Sequence, residues 1–255
     1  MEPDSIPPLF VPQFVRDLRK GEPDPDNGSN NWAVSGTKTA SGYPMLANDP
    51  HLGLNLPSIW YEIQLTTPDM NVYGVSMPGA PAVIVGFNKD VAWGVTNAGS
   101  DVMDWFEIEF KDDSYTEYLY MDEWIKSDLR IEEIFVRDGD TVLDSFAVTR
   151  FGHLVHFGEN KLENGHPAGL AMRWSAHDPS NEMIAIRNMN LATDRETFYT
   201  AAEAFESPGQ NFAMITRDGD IAIRHNGKYP LRGLDQGKFV RAGRDTIGEW
   251  RDWIP

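Results

Sequence analysis

Two Asp-Gly dipeptides, each lying between two strand-like segments, constrain the fold of this chain more than any other feature. The segments are residues 131–136 and 141–148 around Asp138-Gly139, and residues 212–216 and 221–225 around Asp218-Gly219. Asp-Gly between alternating hydrophobic segments is a strong signal for a tight β-hairpin, because such turns need residues that tolerate a positive φ. Each dipeptide therefore predicts a pair of antiparallel strands.

Strand-like segments also fill much of the chain between residue 28 and the first of these hairpins. They are residues 32–37, 43–47, 59–65, 72–77, 82–85 and 91–95. One helix is clear, because Asp194 is a favourable N-cap and apolar residues recur at helical spacing between Phe198 and Phe205. A second helical pattern covers residues 11–20. Paired strands with few helices favour a layered sheet architecture, such as a sandwich with helices outside.

Residues 1–28 differ in composition from the chain that follows. Six prolines interrupt them, and residues 21–28 are acidic and rich in turn-forming residues. We expect this stretch to be exposed and open to cleavage. On composition alone it reads as an ordinary flexible tail. It lacks the basic and apolar regions of a signal peptide.

The composition limits the partners that the chain can have. The formal net charge is −17 and there is no cysteine, while 41% of the residues are hydrophobic, as in globular proteins. Nucleic acids and anionic membranes are recognised by clustered Lys and Arg, so neither is an expected partner. The absence of cysteine excludes a thiol nucleophile, a disulfide framework and a cysteine-bound zinc ion. No run of about 18 apolar residues predicts a membrane span.

The segment Gly28-Ser29-Asn30-Asn31-Trp32-Ala33-Val34-Ser35-Gly36 resembles the start of the β-chain in the penicillin acylase family. Further motifs follow in the family's order and spacing, so that the resemblance covers roughly residues 28–235. They are Asn48-Asp49-Pro50-His51-Leu52, Pro78-Gly79, Gly86-Phe87-Asn88, Ala92-Trp93-Gly94-Val95-Thr96-Asn97, Arg173-Trp174, Asp178-Pro179, Pro208-Gly209-Gln210-Asn211-Phe212 and Tyr229-Pro230-Leu231-Arg232. A single one of these motifs would be weak evidence, whereas the ordered set is specific.

The resemblance implies an N-terminal nucleophile hydrolase of the α+β class, here a partial four-layer αββα sandwich that is mostly antiparallel β. It also implies a precursor that cuts itself between Gly28 and Ser29. Residues 1–28 would then be the end of a spacer, and residues 29–255 the first portion of the β-chain catalytic domain. Full members carry a long α-chain before the spacer and more β-chain after it. We therefore expect this incomplete chain to depend on an α-chain from the same precursor.

The resemblance assigns the catalytic roles residue by residue. Ser29 would be the nucleophile, with its own α-amine as the base, acting directly or through one water; an α-amine has a pKa of about 7.7–8.0. The backbone N–H of Asn97 and the side-chain amide of Asn211 would stabilise the oxyanion. Arg232 would hold Asn211 in position. His51 would orient Ser29 and its amine, or share in proton handling.

No cofactor is required by this chemistry, although a structural calcium ion is an open question. Asp101, the carbonyl of Met103 and Asp104 match a calcium cluster of some relatives, and carboxylates suit a hard cation. Thr216 stands where relatives often have Asp, which weakens the match. The histidines other than His51 have no metalloprotease spacing, so we expect no catalytic zinc ion.

The expected function is an amide hydrolase that removes an acyl group from a small N-acyl compound through an acyl-serine intermediate. β-Lactam side chains, N-acyl homoserine lactones and similar compounds all remain as substrates; His51 and the Gln210-Asn211-Phe212 motif lean toward the acyl-homoserine-lactone and cephalosporin acylase branches. Candidate residues for the apolar acyl pocket are Leu52, Trp60, Val85 and Phe87. Most relatives are exported, so a periplasmic or extracellular location is expected.

Two alternatives to an active acylase remain. The first is a non-catalytic remnant or fragment that keeps the fold but does not mature without its α-chain. The second is an ordinary sandwich or lipocalin-like binding protein, which would require the ordered motifs to be coincidental. Self-cleavage separates the first alternative from an enzyme, because a binding module has no use for a free α-amine on Ser29.

Overall fold

The computed structural model describes residues 28–52, 56–233, 237 and 239–254. The proline-rich segment and the helical pattern over residues 11–20 lie outside the described residues. The described chain consists mostly of antiparallel β-sheets with two α-helices, as expected of an α+β protein. It divides into two compact units. One holds Asp101–His177 and the described chain from Tyr229 onward, and the other holds the described chain from Gly28 to Ser100 together with Asp178–Lys228.

Eighteen strands and two α-helices are present among the described residues. The strands are β1 Asn30–Val34, β2 Met45–Asp49, β3 Tyr61–Thr67, β4 Met70–Ser76, β5 Val85–Phe87, β6 Val91–Asn97, β7 Met103–Glu109, β8 Glu117–Tyr120, β9 Glu123–Lys126, β10 Asp128–Ile134, β11 Val142–Thr149, β12 Gly152–Lys161, β13 Pro167–Trp174, β14 Gln210–Thr216, β15 Ile221–Asn226, β16 Pro230–Leu231, β17 Arg241–Ala242 and β18 Asp252–Trp253. The helices are α1 Glu182–Asn190 and α2 Arg195–Ala202. No helix among these has the length and apolarity needed to cross a membrane.

The unit that contains Ser29 is built on a six-stranded antiparallel sheet with the strand order β15-β14-β6-β5-β4-β3. Alternate residues of β6 and β14, among them Trp93, Phe212 and Met214, share a buried core with both helices. The hairpin of β1 and β2 is a separate two-stranded sheet in this unit. The prediction of paired strands over residues 32–47 is therefore confirmed.

Helix α2 was predicted from its cap, and the cap is present. The Asp194 carboxylate accepts a hydrogen bond from the Thr197 backbone N–H at 2.8 Å, and the Thr197 hydroxyl in turn accepts from the Asp194 N–H at 3.1 Å. Helix α1 was not predicted. Its buried Asn190, 2% exposed, bonds both the N–H and the C=O of Val83 at 2.8 Å, and so fastens the helix to the chain before β5.

The second unit is built on the sheet order β10-β11-β12-β13-β7-β17, in which β17 runs parallel to β7 and the other pairs are antiparallel. Phe106, Ile108, Phe110 and Phe151 form the centre of its core. Two small sheets, β8–β9 and β16–β18, complete the unit.

Both hairpins predicted at Asp-Gly dipeptides exist, although neither has a two-residue connection. β10 ends at Ile134 and β11 begins at Val142, while β14 ends at Thr216 and β15 begins at Ile221. The required positive φ falls on Asp138 at 60° in the first loop and on Gly219 at 103° in the second. The dipeptides thus lie in the loops where the chain reverses, and the paired part of each hairpin ends before it reaches them.

Candidate active site

The side chain of Asn48 attaches the β1–β2 hairpin, which follows Ser29, to strand β6. Its side-chain amide accepts a hydrogen bond from the Val95 N–H at 3.0 Å and donates to the Val95 C=O at 2.9 Å. The same amide nitrogen also lies 3.1 Å from the Asn30 carbonyl oxygen. A Cβ on Gly94 would come within 2.6 Å of Asn48, so this approach requires glycine at that position. Ser29, one residue before β1, is thereby tied to the end of β6.

The Ser29 hydroxyl oxygen accepts a hydrogen bond from the backbone N–H of His51 at 3.2 Å. The imidazole of His51 lies against Asp49 instead, with Nε2 2.8 Å from the carboxylate. His51 is therefore next to the predicted nucleophile, as expected, but its backbone makes the direct contact. Proton handling by the imidazole stays a prediction. Asp49 orients that ring, a role for which the sequence had no separate signal.

The two predicted oxyanion donors lie on neighbouring strands. Asn211 of β14 is the direct cross-strand partner of Thr96, one residue before Asn97. Along an antiparallel strand, successive residues direct their backbone groups to opposite sides. Val95 turns its N–H and C=O to Asn48, whereas Ala98 donates to Gly209 next to β14 at 3.0 Å. The N–H of Asn97 therefore points away from β14, on the side of Asn48.

The side chain of Asn211 is held by both neighbouring strands. Its amide nitrogen lies 3.2 Å from the Thr96 hydroxyl and 3.4 Å from the Asn97 carbonyl oxygen. Its amide oxygen lies 2.8 Å from Nδ1 of His225 on β15. Gln210 lies beside it and donates to the Asn97 side chain at 2.9 Å. The structure thus brings Asn97 and Asn211 together.

A cavity of about 410 Å³ is lined by Ser29, Asn97 and mainly apolar side chains of the same unit. The predicted acyl-pocket residues Leu52 and Trp60 line it, as do Ile84, Val95, Ile186, Phe205 and Phe212. Phe87 and Val85 do not, and their prediction is corrected. Phe87 packs against Tyr73 instead, with ring centroids 5.5 Å apart, because β5 pairs with β4 there.

Among the described residues that line the cavity, Glu182 is the one that carries a charge. Its carboxylate accepts hydrogen bonds from the backbone N–H groups of Ser207 at 2.9 Å and Glu206 at 3.2 Å, and from the Ser180 hydroxyl. Burial raises the pKa of Glu182, but the hydrogen bonds together outweigh burial and lower it below 4.5. Glu182 is therefore ionised at neutral pH and anchors the loop that leads to Asn211.

The carboxylates proposed for calcium are already paired with a cation of the chain. Nε of Arg232 lies 2.7 Å from the carboxylate of Asp104, which is 2% exposed, and the Trp250 indole donates to the same oxygen. A second guanidinium nitrogen lies 3.2 Å from Asp101 and also donates to its carbonyl oxygen at 2.8 Å. Met103 is engaged in the β7–β13 ladder opposite Trp174. A calcium ion would have to displace Arg232, so these residues do not fit the ion as they stand.

Metal binding finds no other support among the described residues, where no group of three or more His, Asp or Glu side chains is arranged to hold an ion. Arg232 belongs to the unit of Asp101, and Asn211 to the other. The role of Arg232 in holding Asn211 stays a prediction.

The sequence does not identify the residues that hold the candidate catalytic residues in place. Asn48 and Asp49 belong to a family motif that assigns no role to them, and no motif assigns a role to His225 or Glu182. A partial signal exists for Asn48, since it directly follows the predicted strand over residues 43–47 and its side chain carries the same donor and acceptor as a peptide group. A two-residue turn at Asp218-Gly219 would set Asn226 opposite Asn211, whereas the longer loop of the structure sets His225 there, so the sequence alone does not identify His225.

Comparison with known proteins places these features in a family. The profile described as "Penicillin amidase" matches residues 2–255. The acyl-homoserine lactone acylase QuiP of Pseudomonas aeruginosa is 28% identical over 232 residues, which cover 87% of this chain and 27% of that protein. The penicillin acylase 2 proenzyme of Pseudomonas sp. strain SE83 is 28% identical over 229 residues, 89% of this chain and 29% of that protein.

The fold is also similar to a solved structure. A thermostable penicillin G acylase from Alcaligenes faecalis superposes with a TM-score of 0.76 at 23% identity, covering 88% of this chain and 40% of that one. The chain spans less than a third of the length of the curated relatives that it matches. By its profile match along nearly all of its length, the chain belongs to the penicillin amidase family.

Proposed function

We propose that this chain is the nucleophile-bearing portion of an acylase that hydrolyses the amide bond of small N-acyl compounds, with Ser29 as the nucleophile. One observation carries the proposal. The Ser29 hydroxyl, held by the His51 N–H at 3.2 Å, is among the groups lining an apolar cavity of about 410 Å³ to which Asn97 also contributes. A nucleophile, an oxyanion donor and an apolar binding volume then adjoin one another.

Maturation by self-cleavage at Gly28–Ser29 is the first step of the proposal. The Ser29 hydroxyl attacks the preceding carbonyl carbon, the C–N bond breaks, and Gly28 is left as an ester on Ser29 Oγ. Water hydrolyses that ester, which frees the carboxylate of Gly28 and the α-amine and hydroxyl of Ser29. Gly28 is exposed, and in the described part of the chain no atom beyond its two neighbours lies within 4 Å of where a side chain would begin, which leaves space beside the bond to be cut.

Substrate hydrolysis follows the same chemistry. The α-amine of Ser29, directly or through one water, takes the hydroxyl proton while Oγ attacks the acyl carbon. The N–H of Asn97 and the amide of Asn211 donate to the oxyanion. The proton passes to the leaving nitrogen, the amine departs, and water hydrolyses the acyl-serine ester to release the carboxylic acid.

The apolar cavity favours a hydrophobic acyl group, since all its lining residues that the structure describes are uncharged except Glu182. Relatives are named for penicillins and for acyl-homoserine lactones, and both classes of N-acyl amide suit this chemistry. An α-chain from the same precursor is the proposed partner, and the periplasm or the cell exterior is the proposed location. Neither nucleic acid nor membrane is a proposed partner.

The competing proposal is a non-catalytic remnant, which keeps the hairpin, the cavity and the sheet but never frees the Ser29 amine. The two proposals share the same fold and the same residues around Ser29, and they differ in whether the Gly28–Ser29 bond is cut to free the amine.

Self-cleavage tests the two proposals. Intact mass under denaturing conditions and N-terminal sequencing should reveal a new terminus reading Ser-Asn-Asn-Trp, abolished in Ser29→Ala and retained in the matched control Ser35→Ala. The measurement is made on the chain alone and again with a co-expressed penicillin acylase α-chain. A chain that stays uncut at Gly28 in both settings would decide for the remnant.

A further inference from the structure

The amide group of Asn211 can donate to an oxyanion only in one of its two orientations. The two orientations differ by a half-turn that exchanges oxygen and nitrogen at almost no steric cost. If the oxygen points to the reacting carbonyl, it repels the charge that it should stabilise. The sheet must therefore contain a group that selects the orientation, and the neighbours of Asn211 show which group does so.

On one side, Thr96 cannot select the orientation. Its hydroxyl lies 3.2 Å from the Asn211 amide nitrogen, but a hydroxyl both donates and accepts, so it would bond an oxygen in the same place equally well. The Asn97 carbonyl accepts only and favours the nitrogen, yet at 3.4 Å it is a weak contact.

On the other side, His225 can select it. His225 is the direct cross-strand partner of Asn211 on β15, so both side chains project from the same face of the sheet. Nδ1 lies 2.8 Å from the Asn211 amide oxygen. An amide oxygen accepts and never donates, so the hydrogen of this bond sits on Nδ1. In the reversed orientation, two N–H groups would face each other.

We propose that His225 is a positioning residue that fixes the amide of Asn211 with its oxygen toward β15 and its nitrogen toward Thr96 and Asn97. The inference rests on the proposed function, in which Asn211 donates to the oxyanion. His225 itself touches neither substrate nor Ser29 in this role. It acts through the orientation of its cross-strand partner.

The test uses substitutions that differ in hydrogen bonding rather than in size. Asn places an N–H group at the position of Nδ1, Leu places no polar group there, and Asp places only acceptors. We expect kcat to fall little in His225→Asn, about tenfold in His225→Leu, and further in His225→Asp, which draws the Asn211 nitrogen to the wrong side. The Asp variant should approach the 10²- to 10³-fold loss typical of deleting an oxyanion donor. KM should change little, because the bond matters at the transition state.

The assay uses the full mature protein with an apolar probe, N-octanoyl 4-nitroanilide. Ile223→Ala is the matched control, because Ile223 lies two residues away on the same face of β15, is 65% exposed and pairs with Ala213. A merely structural role would make the nearly isosteric Asn and Asp variants equally active, and that equality would overturn the proposal.

A second measurement separates this inference from the proposed function. Nitrogen-15 correlation spectra of the imidazoles should show a hydrogen on Nδ1 of His225 in the full chain, whether or not the chain hydrolyses an amide. An Nδ1 without its hydrogen would overturn the inference. An Nδ1–H in a chain that has lost no activity in His225→Asp would overturn it as well, whereas failure of the wild type to hydrolyse any amide would count against the proposed function.

Discussion

At the scale of the residue, the site is held together by amide side chains that take the place of missing backbone partners. The side chain of Asn48 bonds the backbone of β6 beyond the last residue that is paired with β5. The side chain of Asn190 bonds the backbone N–H and C=O of Val83 in the same way. An Asn side chain carries the same donor and acceptor as a peptide group, so it satisfies backbone groups that would otherwise be buried unpaired. Asn48 and Asn190 thus hold in place the backbone on which the site is built.

Arg232 is a second residue that holds its surroundings together, because it is the counter-ion of Asp101 and Asp104. We predict that millimolar calcium and a chelator leave the thermal midpoint of the wild type unchanged. Arg232→Met should lower stability by about 3–5 kcal/mol, because it strands the buried carboxylate of Asp104. Differential scanning calorimetry with and without calcium measures both effects.

Arg130→Met is the control for that prediction, since Arg130 makes an exposed ion pair with Asp128 and should contribute little. A wild-type midpoint that rises with calcium would mean that the ion displaces the guanidinium, and would restore the calcium expectation.

At the scale of the element, the two helices differ in how far sequence could predict them. α2 has a side-chain cap and spaced apolar residues, and both are visible in the sequence. α1 has no side-chain cap, and Met183, Ile184, Ala185 and Ile186 form an unbroken apolar run without helical spacing. Strands β7 and β13 also lack a local signal in the sequence. They pair with each other across a long stretch of chain, so no tight turn joins them and indicates the pairing.

Glu182, in the first turn of α1, gives this element a pH dependence. Its pKa is lowered in the folded chain, so its contribution to stability is present above its ordinary value of 4.5 and is lost as the pH falls through the lowered pKa. Glu182→Gln should reduce stability at pH 7 by roughly 1 kcal/mol, a small value because solvent screens this partly exposed group. It should also flatten the acid limb of a urea-midpoint profile between pH 6 and pH 3.

The matched control is Glu203→Gln, whose carboxylate is 66% exposed and makes a long contact of 3.7 Å with Arg224. If the two variants had the same acid limb, Glu182 would have no special share in it.

At the scale of the whole molecule, the resemblance in ordered motifs predicted what local patterns could not. The Asp-Gly turns predicted hairpins, but nothing local joins Asn97 to Asn211, which are 114 residues apart. Only the family pattern named both, and the sheet then set them on adjacent strands. The supporting residues stayed hidden because their partners, as for Asn48 and Val95, lie far away in sequence and depend on strand order.

The hairpin of β10 and β11 sets the solution behaviour expected of the isolated chain. Ile131, Phe135 and Leu143 are 60%, 79% and 64% exposed, which is a concentration of apolar surface on one hairpin. We predict concentration-dependent self-association in size-exclusion chromatography with light scattering. The double change Phe135→Ser with Leu143→Ser should reduce it, whereas Ile247→Ser, a single site 72% exposed elsewhere, should not. A wild type that stays monomeric at high concentration would contradict this.

The hydrogen bonds of the Asn48 side chain also affect the order of the new terminus in a chain that is cut before Ser29. A new chain terminus is normally poorly ordered, so a nucleophile on it would have no fixed position. Here the residue after Ser29 begins a paired strand, and one amide side chain holds both the Asn30 carbonyl and β6. The severed terminus would inherit the rigidity of the sheet, so its amine and hydroxyl would meet a bound carbonyl at high effective molarity from the moment the bond is broken.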